Sequence, residues 1–116
     1  MLDNLFLQSY PPLHRPYESC VILEDDLVLA PDALFYLEAV ERLMRRDQTV
    51  FTGSLFADNS YPLYAADPRR FRRVSHFAGL GFLLTRRRYV DHLRRTLRAG
   101  LQNWDEQVQK LDSYIR

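Results

Sequence analysis

The sequence has little cysteine, few glycines and no long apolar run, and each shortage narrows what the 116-residue chain can be. A single cysteine, Cys20, excludes an internal disulfide framework. No apolar run approaches the ~20 residues that cross a bilayer, and the pattern of a cleaved signal peptide is missing from the first residues. No linker rich in glycine or serine divides the chain, so we expect one domain or part of one.

The composition of the chain is ordinary, but negative charge is concentrated in its first half and positive charge in its second half. Hydrophobic residues make up 47% of the chain and charged residues 27%, which excludes wholesale disorder. Residues 1–58 carry a net charge of −6 (four basic, ten acidic) and residues 59–116 a net charge of +7 (twelve basic, five acidic). A positive half beside an acidic cluster suits a phosphorylated ligand held through a metal. The plainer interpretation is that the arginine-rich helices have solvated faces.

Three apolar segments predict the strands of a sheet. Residues 20–23 form a short continuous apolar run, which is typical of a strand covered on both faces. A second strand is predicted over 49–56, and a third buried segment over 75–84. Helical patterns separate and follow these segments, so the sequence predicts an α/β fold with at least one crossover and a parallel strand pair.

Helix signals surround the predicted strands, beginning with a short helix at the N-terminus. Pro31 and Asp32 open the helix between the first two strands, because proline suits a first helical turn and an early acid complements the helix dipole. Its predicted buried face has spacings of four, three and four, and comprises Ala33, Leu37, Val40 and Met44. Thr85 is predicted to cap a later helix that buries Val90 and Leu93.

The strongest candidate for a functional site is the acidic triplet Glu24, Asp25 and Asp26. Three acids that directly follow a buried strand cannot remain in the core as bare charges, so they should lie at the strand's carboxyl end. Oxygen ligands of this kind suit a hard divalent cation, which bridges to a diphosphate. The alternative is an acidic turn before a helix.

A pair of glycines marks the third buried segment. Gly79 and Gly81 flank Leu80, and two glycines in a strand usually indicate close approach of a ligand or of another backbone. A bulge or a tight helix–strand contact explains them equally simply. The spacing is not that of a dinucleotide-binding fingerprint, which has other glycines and a helix that opens at them.

A second acidic group follows near the C-terminus, at Trp104, Asp105 and Glu106. Acids at the start of a helix are favoured by capping and by the helix dipole alone. The functional interpretation makes one acid a general base, with the tryptophan as a surface for a sugar ring. Cys20 is predicted to be an inert core thiol, and His92, on the arginine-rich helix, is predicted to be solvated.

These features occur in an order that resembles the N-acetylglucosaminyltransferase I family. Residues 21–32 are similar to its nucleotide-sugar signature, in which E-D-D replaces the usual D-x-D. The segment 77–84 and a W-D-[DE] element at 104–106 then follow as in that family, and the turn at 58–59 has a counterpart. The resemblance covers residues 1–110. Two positions depart from the family pattern, which usually has proline at Ala78 and tryptophan at Phe82.

The resemblance implies a GT-A-like α/β fold, with residues 1–116 forming part of a catalytic domain. It implies an inverting β-1,2-N-acetylglucosaminyltransferase that transfers GlcNAc from UDP-GlcNAc to a mannose hydroxyl of a glycoprotein glycan, in a family of membrane-anchored Golgi enzymes. Asp26 would bind Mn²⁺, Glu24 and Asp25 would contact the ribose or sugar of the donor, and Asp105 would be the base. The residues implied to line the acceptor side are Gly79, Leu80, Gly81, Trp104 and Glu106.

Two alternatives remain beside this interpretation. The chain is a metal-dependent glycosyltransferase of other donor specificity, or it is a non-catalytic remnant or interaction module that has kept the fold. We expect residues 1–116 alone to be at best a very weak enzyme. In the family, uridine is held by strands that come before the E-D-D strand, and only a short segment with several prolines precedes residue 20 here. Nucleic acid is not an expected partner, since no nucleic-acid motif accompanies the arginines.

Overall fold

The computed structural model of the protein describes residues 2–9, 15–57, 61–63, 67, 69–77 and 79–95. A three-stranded sheet lies between helices in this part of the chain. In chain order the elements are α1 (Leu2–Leu7), β1 (Ser19–Ile22), α2 (Ala33–Arg46), β2 (Gly53–Ser54), β3 (Phe82–Thr85), α3 (Arg86–Arg88) and a π-helical turn (Tyr89–Leu93). No helix within these residues is long and apolar enough to span a membrane.

The strand order is β1-β3-β2, and both pairings are antiparallel. Ile22 and Ser54 both lie opposite Phe82, while Ser19 lies opposite Thr85. The predicted parallel pair is therefore wrong for the described strands: β1 and β2 run in the same direction, but β3 returns between them and takes their hydrogen bonds. The predicted crossover is confirmed, because the chain passes from β1 through α2 to the far side of β3. The GT-A assignment stays a prediction.

Alternation along the strands divides the core between the two faces of the sheet. Phe82 and Leu84 contribute to one hydrophobic cluster, whereas Leu83 contributes to the other. The same alternation holds in β1, where Ile22 packs on the first cluster and Val21 on the second, so the sheet is covered on both faces as predicted. The first cluster comprises Phe6, Phe51, Phe77, Phe82, Leu84, Tyr89 and Leu93, and the second Leu37, Val40, Met44 and Leu83.

Helix α2 confirms the sequence pattern. All four predicted residues, Ala33, Leu37, Val40 and Met44, are buried at 3–5% exposure. Ion pairs link Glu38 to Arg42 at 2.9 Å and Glu41 to Arg45 at 3.0 Å on its outer side. Asp32 is the N-cap residue, but its side chain makes no capping hydrogen bond, so it acts there through the helix dipole alone.

The second and third strands are shorter than the sequence predicts. Only Gly53–Ser54 of the segment 49–56 is strand, and the hydroxyl of Thr52 donates to the Leu83 carbonyl at 2.5 Å. The Leu83 residue pairs with Gly53 in the ladder, so the Thr52 hydroxyl adds a side-chain bond just before β2 begins. In the segment 75–84 the strand begins only at Phe82, because Gly79 and Gly81 have φ values of +74° and +65°, which lie outside the β region.

The helix after β3 has the predicted cap but a different buried face. The Thr85 side chain accepts a hydrogen bond from the Arg88 amide at 3.3 Å, as predicted. Val90 is 39% exposed, so its predicted burial is wrong, whereas Tyr89 and Leu93 are buried at 4% and 2%. Tyr89 and Leu93 are four residues apart, a spacing that places two side chains on one helical face.

Candidate functional site

The register of the sheet brings three separate segments to one of its ends. Ile22 and Ser54 are the last residues of β1 and β2, and both pair with Phe82, the first residue of β3. Residues 23–27, 55–57 and 79–81 therefore lie together at this end of the sheet, which we call the acidic end. The first of these segments carries the acidic triplet, and the third carries both glycines of the sequence motif.

The acidic triplet lies in a turn and points no carboxylate into the core. The Leu27 amide donates to the Glu24 carbonyl at 3.3 Å, which closes a turn around Asp25 and Asp26. All three acidic residues are exposed. Within the described residues, no ion pair or side-chain hydrogen bond of the structure engages them. Their oxygens are thus open to solvent and to a ligand.

Gly81 lies against two leucine side chains at the acidic end. A Cβ atom at this position would stand 3.4 Å from Leu27 Cδ1 and 3.4 Å from Leu55 Cβ. The Gly81 carbonyl also accepts a hydrogen bond from the Leu55 amide at 2.9 Å. The close approach predicted for the glycine is therefore made by Leu27 and Leu55 of the chain itself. Neither leucine lies in a helix, so this is not the tight helix–strand contact named as an alternative. Leu80 and Gly79 are half-buried beside it.

The carboxylate oxygens of the acidic turn suit a cation whose other ligands come from a bound molecule and from water. No three His, Cys, Asp or Glu residues of the described segments are grouped closely enough to hold a metal ion by themselves. Magnesium-like cations are commonly bound through only one or two carboxylates, with phosphate oxygens and water completing the shell. Asp26 as a protein ligand of Mn²⁺ stays a prediction; in that mode the cation would be held together with the phosphate oxygens of a ligand.

The arginines that follow β3 lie at the opposite end of the sheet. Ser19 pairs with Thr85, so Arg86 follows β3 where β1 begins, and its backbone amide donates to the Glu18 carbonyl at 2.7 Å. Its guanidinium lies 3.5 Å from the Glu18 carboxylate. The interpretation in which the basic half adjoins the acidic cluster is therefore wrong for residues 86–88.

Arg88 is an internal residue that the sequence analysis assigned to a solvated helix. It is only 7% exposed, and its guanidinium donates to the carbonyls of Gln48 and Val50, the latter at 3.3 Å. The guanidinium carbon also lies 5.4 Å from the centre of the Phe51 ring. Arg88 thus joins α3 to the segment that leads into β2.

His92 contacts Arg88 and is not solvated as predicted. Its Nε2 atom lies 3.0 Å from Arg88 Nη1, and because arginine can only donate, Nε2 must accept and carry no proton. Burial lowers the pKa of His92, and the Arg88 charge lowers it further. The only sequence signal for this pair is the spacing of four residues on one helix.

Cys20 is a thiol of the core, as the sequence predicts. Its side chain packs against the first core cluster, and burial raises the pKa of the thiol to about 11, so the thiol stays protonated and unreactive at neutral pH.

The candidates outside the described residues are Asp58, Asn59, Trp104, Asp105 and Glu106.

Comparison with known proteins gives matches to one family. A family model, the GNT-I family, matches residues 2–111. An Arabidopsis thaliana protein named alpha-1,3-mannosyl-glycoprotein 2-beta-N-acetylglucosaminyltransferase is 34% identical over 103 residues, which cover 89% of this chain and 22% of that protein. The chain thus spans about a fifth of the length of this curated relative. No solved structure gives a significant match.

Proposed function

The chain belongs to the GNT-I family, and on this premise we propose that it is part of the catalytic unit of an inverting β-1,2-N-acetylglucosaminyltransferase. The proposed donor is UDP-GlcNAc, and the proposed acceptor is a mannose hydroxyl of a glycoprotein glycan. Family membership supports a glycosyltransferase, and the name of the Arabidopsis relative supports transfer of N-acetylglucosamine to a mannosyl glycoprotein.

One observation carries the proposal to particular residues. The pairing of Ile22 and Ser54 with Phe82 collects the acidic turn and the Gly79–Gly81 segment at one end of the sheet. These are two of the three motifs in which the sequence resembles the family. The carboxyl ends of β1 and β2 both open there, which is where open α/β sheets bind ligands.

The acidic turn is the proposed site of the donor diphosphate. Asp26 would be a ligand of Mn²⁺, and Glu24 and Asp25 would contact the ribose or sugar of the donor. All three acidic residues are exposed, and Leu27, which follows them, lies beside Gly81. When bound, the cation neutralises charge on the leaving diphosphate, so the protein needs no acid on that side of the reaction.

Asp105 is the proposed general base on the acceptor side. A carboxylate there would accept the proton of the mannose hydroxyl while its oxygen forms a bond to the anomeric carbon. The bond from that carbon to the phosphate oxygen breaks on the opposite face, UDP leaves, and the configuration inverts. One base is sufficient for such a displacement. Trp104 and Glu106 are its proposed neighbours at the acceptor.

The test of the function is a transfer assay with a panel of donors. The protein with further family sequence before and after residues 1–116 is called the extended protein. We expect the extended protein to transfer GlcNAc from UDP-GlcNAc to a mannose-terminated glycan when Mn²⁺ is present, and residues 1–116 alone to transfer far less. Faster transfer from another nucleotide sugar would establish a different donor. Absence of both donor binding and transfer in both proteins would favour a non-catalytic module.

A variant pair separates the base from a helix cap. Asp105→Asn in the extended protein should retain the fold and donor binding but lose about 10²–10⁴-fold in turnover. Glu106→Gln is the matched control and should retain most of the turnover. The opposite result would exchange the two roles, and a change confined to the melting temperature of both variants would leave only capping.

We also propose a Golgi-membrane location, which only the family resemblance supports. The described part of the chain has no helix able to span a bilayer, so this location rests on the family alone. Fluorescence microscopy of the extended protein in cells, with a Golgi marker, tests it.

A further inference from the structure

The connection between β1 and α2 is exposed except at one residue. From residue 23 to residue 32, every position is exposed apart from Leu27, which is half-buried. The next two residues are also apolar, yet Val28 is 96% exposed and Leu29 is 40% exposed. Apolar character alone therefore does not bury this segment. Within it Leu27 is the least exposed residue, and we call its packing beside Gly81 the attachment of the segment.

The attachment is specific because Leu27 contacts a glycine that cannot be replaced without strain. Leu27 Cδ1 lies 3.4 Å from the position of a Cβ on Gly81. Gly81 has a φ of +65°, which disfavours any side chain. Leu55 lies on the same side of Gly81 and packs against the core cluster beneath α2. Leu27 and Leu55 thus both lie beside Gly81, and Leu55 is part of the packing around the core.

The attachment adjoins the acidic turn directly. Leu27 follows Asp26 in the chain, and its amide closes the turn onto the Glu24 carbonyl at 3.3 Å. A long exposed connection has many conformations, and fixing each of its residues costs conformational entropy. Burial of one leucine next to the carboxylates restricts those conformations before any ligand arrives, which lowers the cost of binding.

We propose that Leu27, seated on Gly81 and Leu55, is a positioning residue that holds the Glu24–Asp26 turn in its binding conformation. The part of the proposal that concerns a cation and nucleotide rests on the proposed function. The part that concerns the order of the turn rests on the contacts alone.

The experiment compares Leu27→Ala with Leu29→Ala, which removes the same side chain from the exposed part of the same connection. Mn²⁺-dependent UDP binding by the extended protein is measured by calorimetry. We expect Leu27→Ala to weaken it about tenfold, at the lower end of the 10–100-fold losses seen when supports of metal ligands are removed. Leu29→Ala should bind as the wild type does, and Leu27→Met should restore most of the affinity.

Hydrogen exchange read by mass spectrometry supplies a measure that needs no ligand. The peptide that spans residues 23–29 should exchange faster in Leu27→Ala than in Leu29→Ala or the wild type, while a peptide spanning β3 should be unchanged. Gly81→Ala, which alters the other side of the contact, should reproduce the local effect.

The outcomes separate the positioning role from the proposed function. If the wild type shows no Mn²⁺-dependent UDP binding, the proposed function fails, and the exchange data still decide whether Leu27 orders the turn. Equal exchange and equal affinity in the two alanine variants would overturn the proposal. Faster exchange across the whole protein in Leu27→Ala would also overturn it, because Leu27 would then support the fold as a whole.

Discussion

Replacement of Arg88 by methionine should cost much of the stability of this small fold. Arg88 is 7% exposed and donates to the carbonyls of Gln48 and Val50. Methionine retains an unbranched apolar side chain of similar reach but cannot donate, so both carbonyls lose their partner. The change thus tests the hydrogen bonds with little change in packing.

The magnitude follows from two opposing contributions. The two hydrogen bonds to the carbonyls contribute about 3–6 kcal/mol together, and the variant also loses the bond to His92 Nε2. Part of this is offset because the variant no longer buries a charge, a penalty of several kcal/mol per ion in protein interiors. We therefore expect a net loss of about 2–4 kcal/mol in the free energy of unfolding. The free energy of unfolding of Arg88→Lys should lie between the values for Arg88→Met and the wild type, because one ammonium group cannot replace the planar set of donors of a guanidinium.

Urea unfolding followed by circular dichroism measures the change, and Arg87→Met is the matched control. The Arg87 side chain is 66% exposed and lies 3.7 Å from Asp91, so its loss should cost about 0.5 kcal/mol or less. If Arg88→Met folded normally and lost no more than Arg87→Met, the account of Arg88 as an internal link between α3 and β2 would be refuted.

Two further predictions concern packing and pH. Gly53→Ala should destabilise by about 1–3 kcal/mol, because its Cβ would overlap Val40 Cγ1 and stand 3.2 Å from Val40 Cβ; addition of Val40→Ala should relieve this, and additive losses in urea unfolding would contradict the contact. The pKa of His92 is lowered from 6.5 in the fold, so the unfolded chain binds the proton more tightly and stability should decrease as pH falls below about 6.5. His92→Gln should reduce that slope, and an unchanged pH profile would show that His92 does not contribute to it.

Local patterns were sufficient to predict the elements that depend on local physics. The buried stripe of α2 follows from helical periodicity, and the Thr85 cap follows from a hydroxyl placed three residues before a free amide. Both are confirmed because neither depends on what the rest of the chain does.

The sheet order could not be predicted in the same way. Periodicity identifies a strand but does not show which neighbour takes its hydrogen bonds, and here β3 inserts between β1 and β2. The bond from the Thr52 hydroxyl to the Leu83 carbonyl, just before β2, is likewise a long-range contact that local patterns do not show. Arg88 was missed because an arginine within a run of arginines has no local sign of burial.

At the candidate site, too, the local feature could be predicted from the sequence and the long-range contact could not. The composition and position of the acidic triplet predicted an exposed turn at the end of a buried strand. The structure confirms the exposed turn directly after β1, but β1 itself is only half-buried. The contact of Leu27 with Gly81 joins residues that are 54 positions apart in the chain. It was visible in the sequence only as an unexplained glycine.

The central claim, that the acidic turn holds a nucleotide diphosphate through a divalent cation, is tested most directly by calorimetry on Asp26→Ala. UDP is titrated into the extended protein with and without Mn²⁺, and Asp32→Ala serves as the control, because Asp32 is an exposed acid of the same connection that lies beyond the turn. We predict that Asp26→Ala abolishes Mn²⁺-dependent UDP binding while Asp32→Ala retains it. Unchanged Mn²⁺ and UDP affinity in Asp26→Ala would contradict the claim.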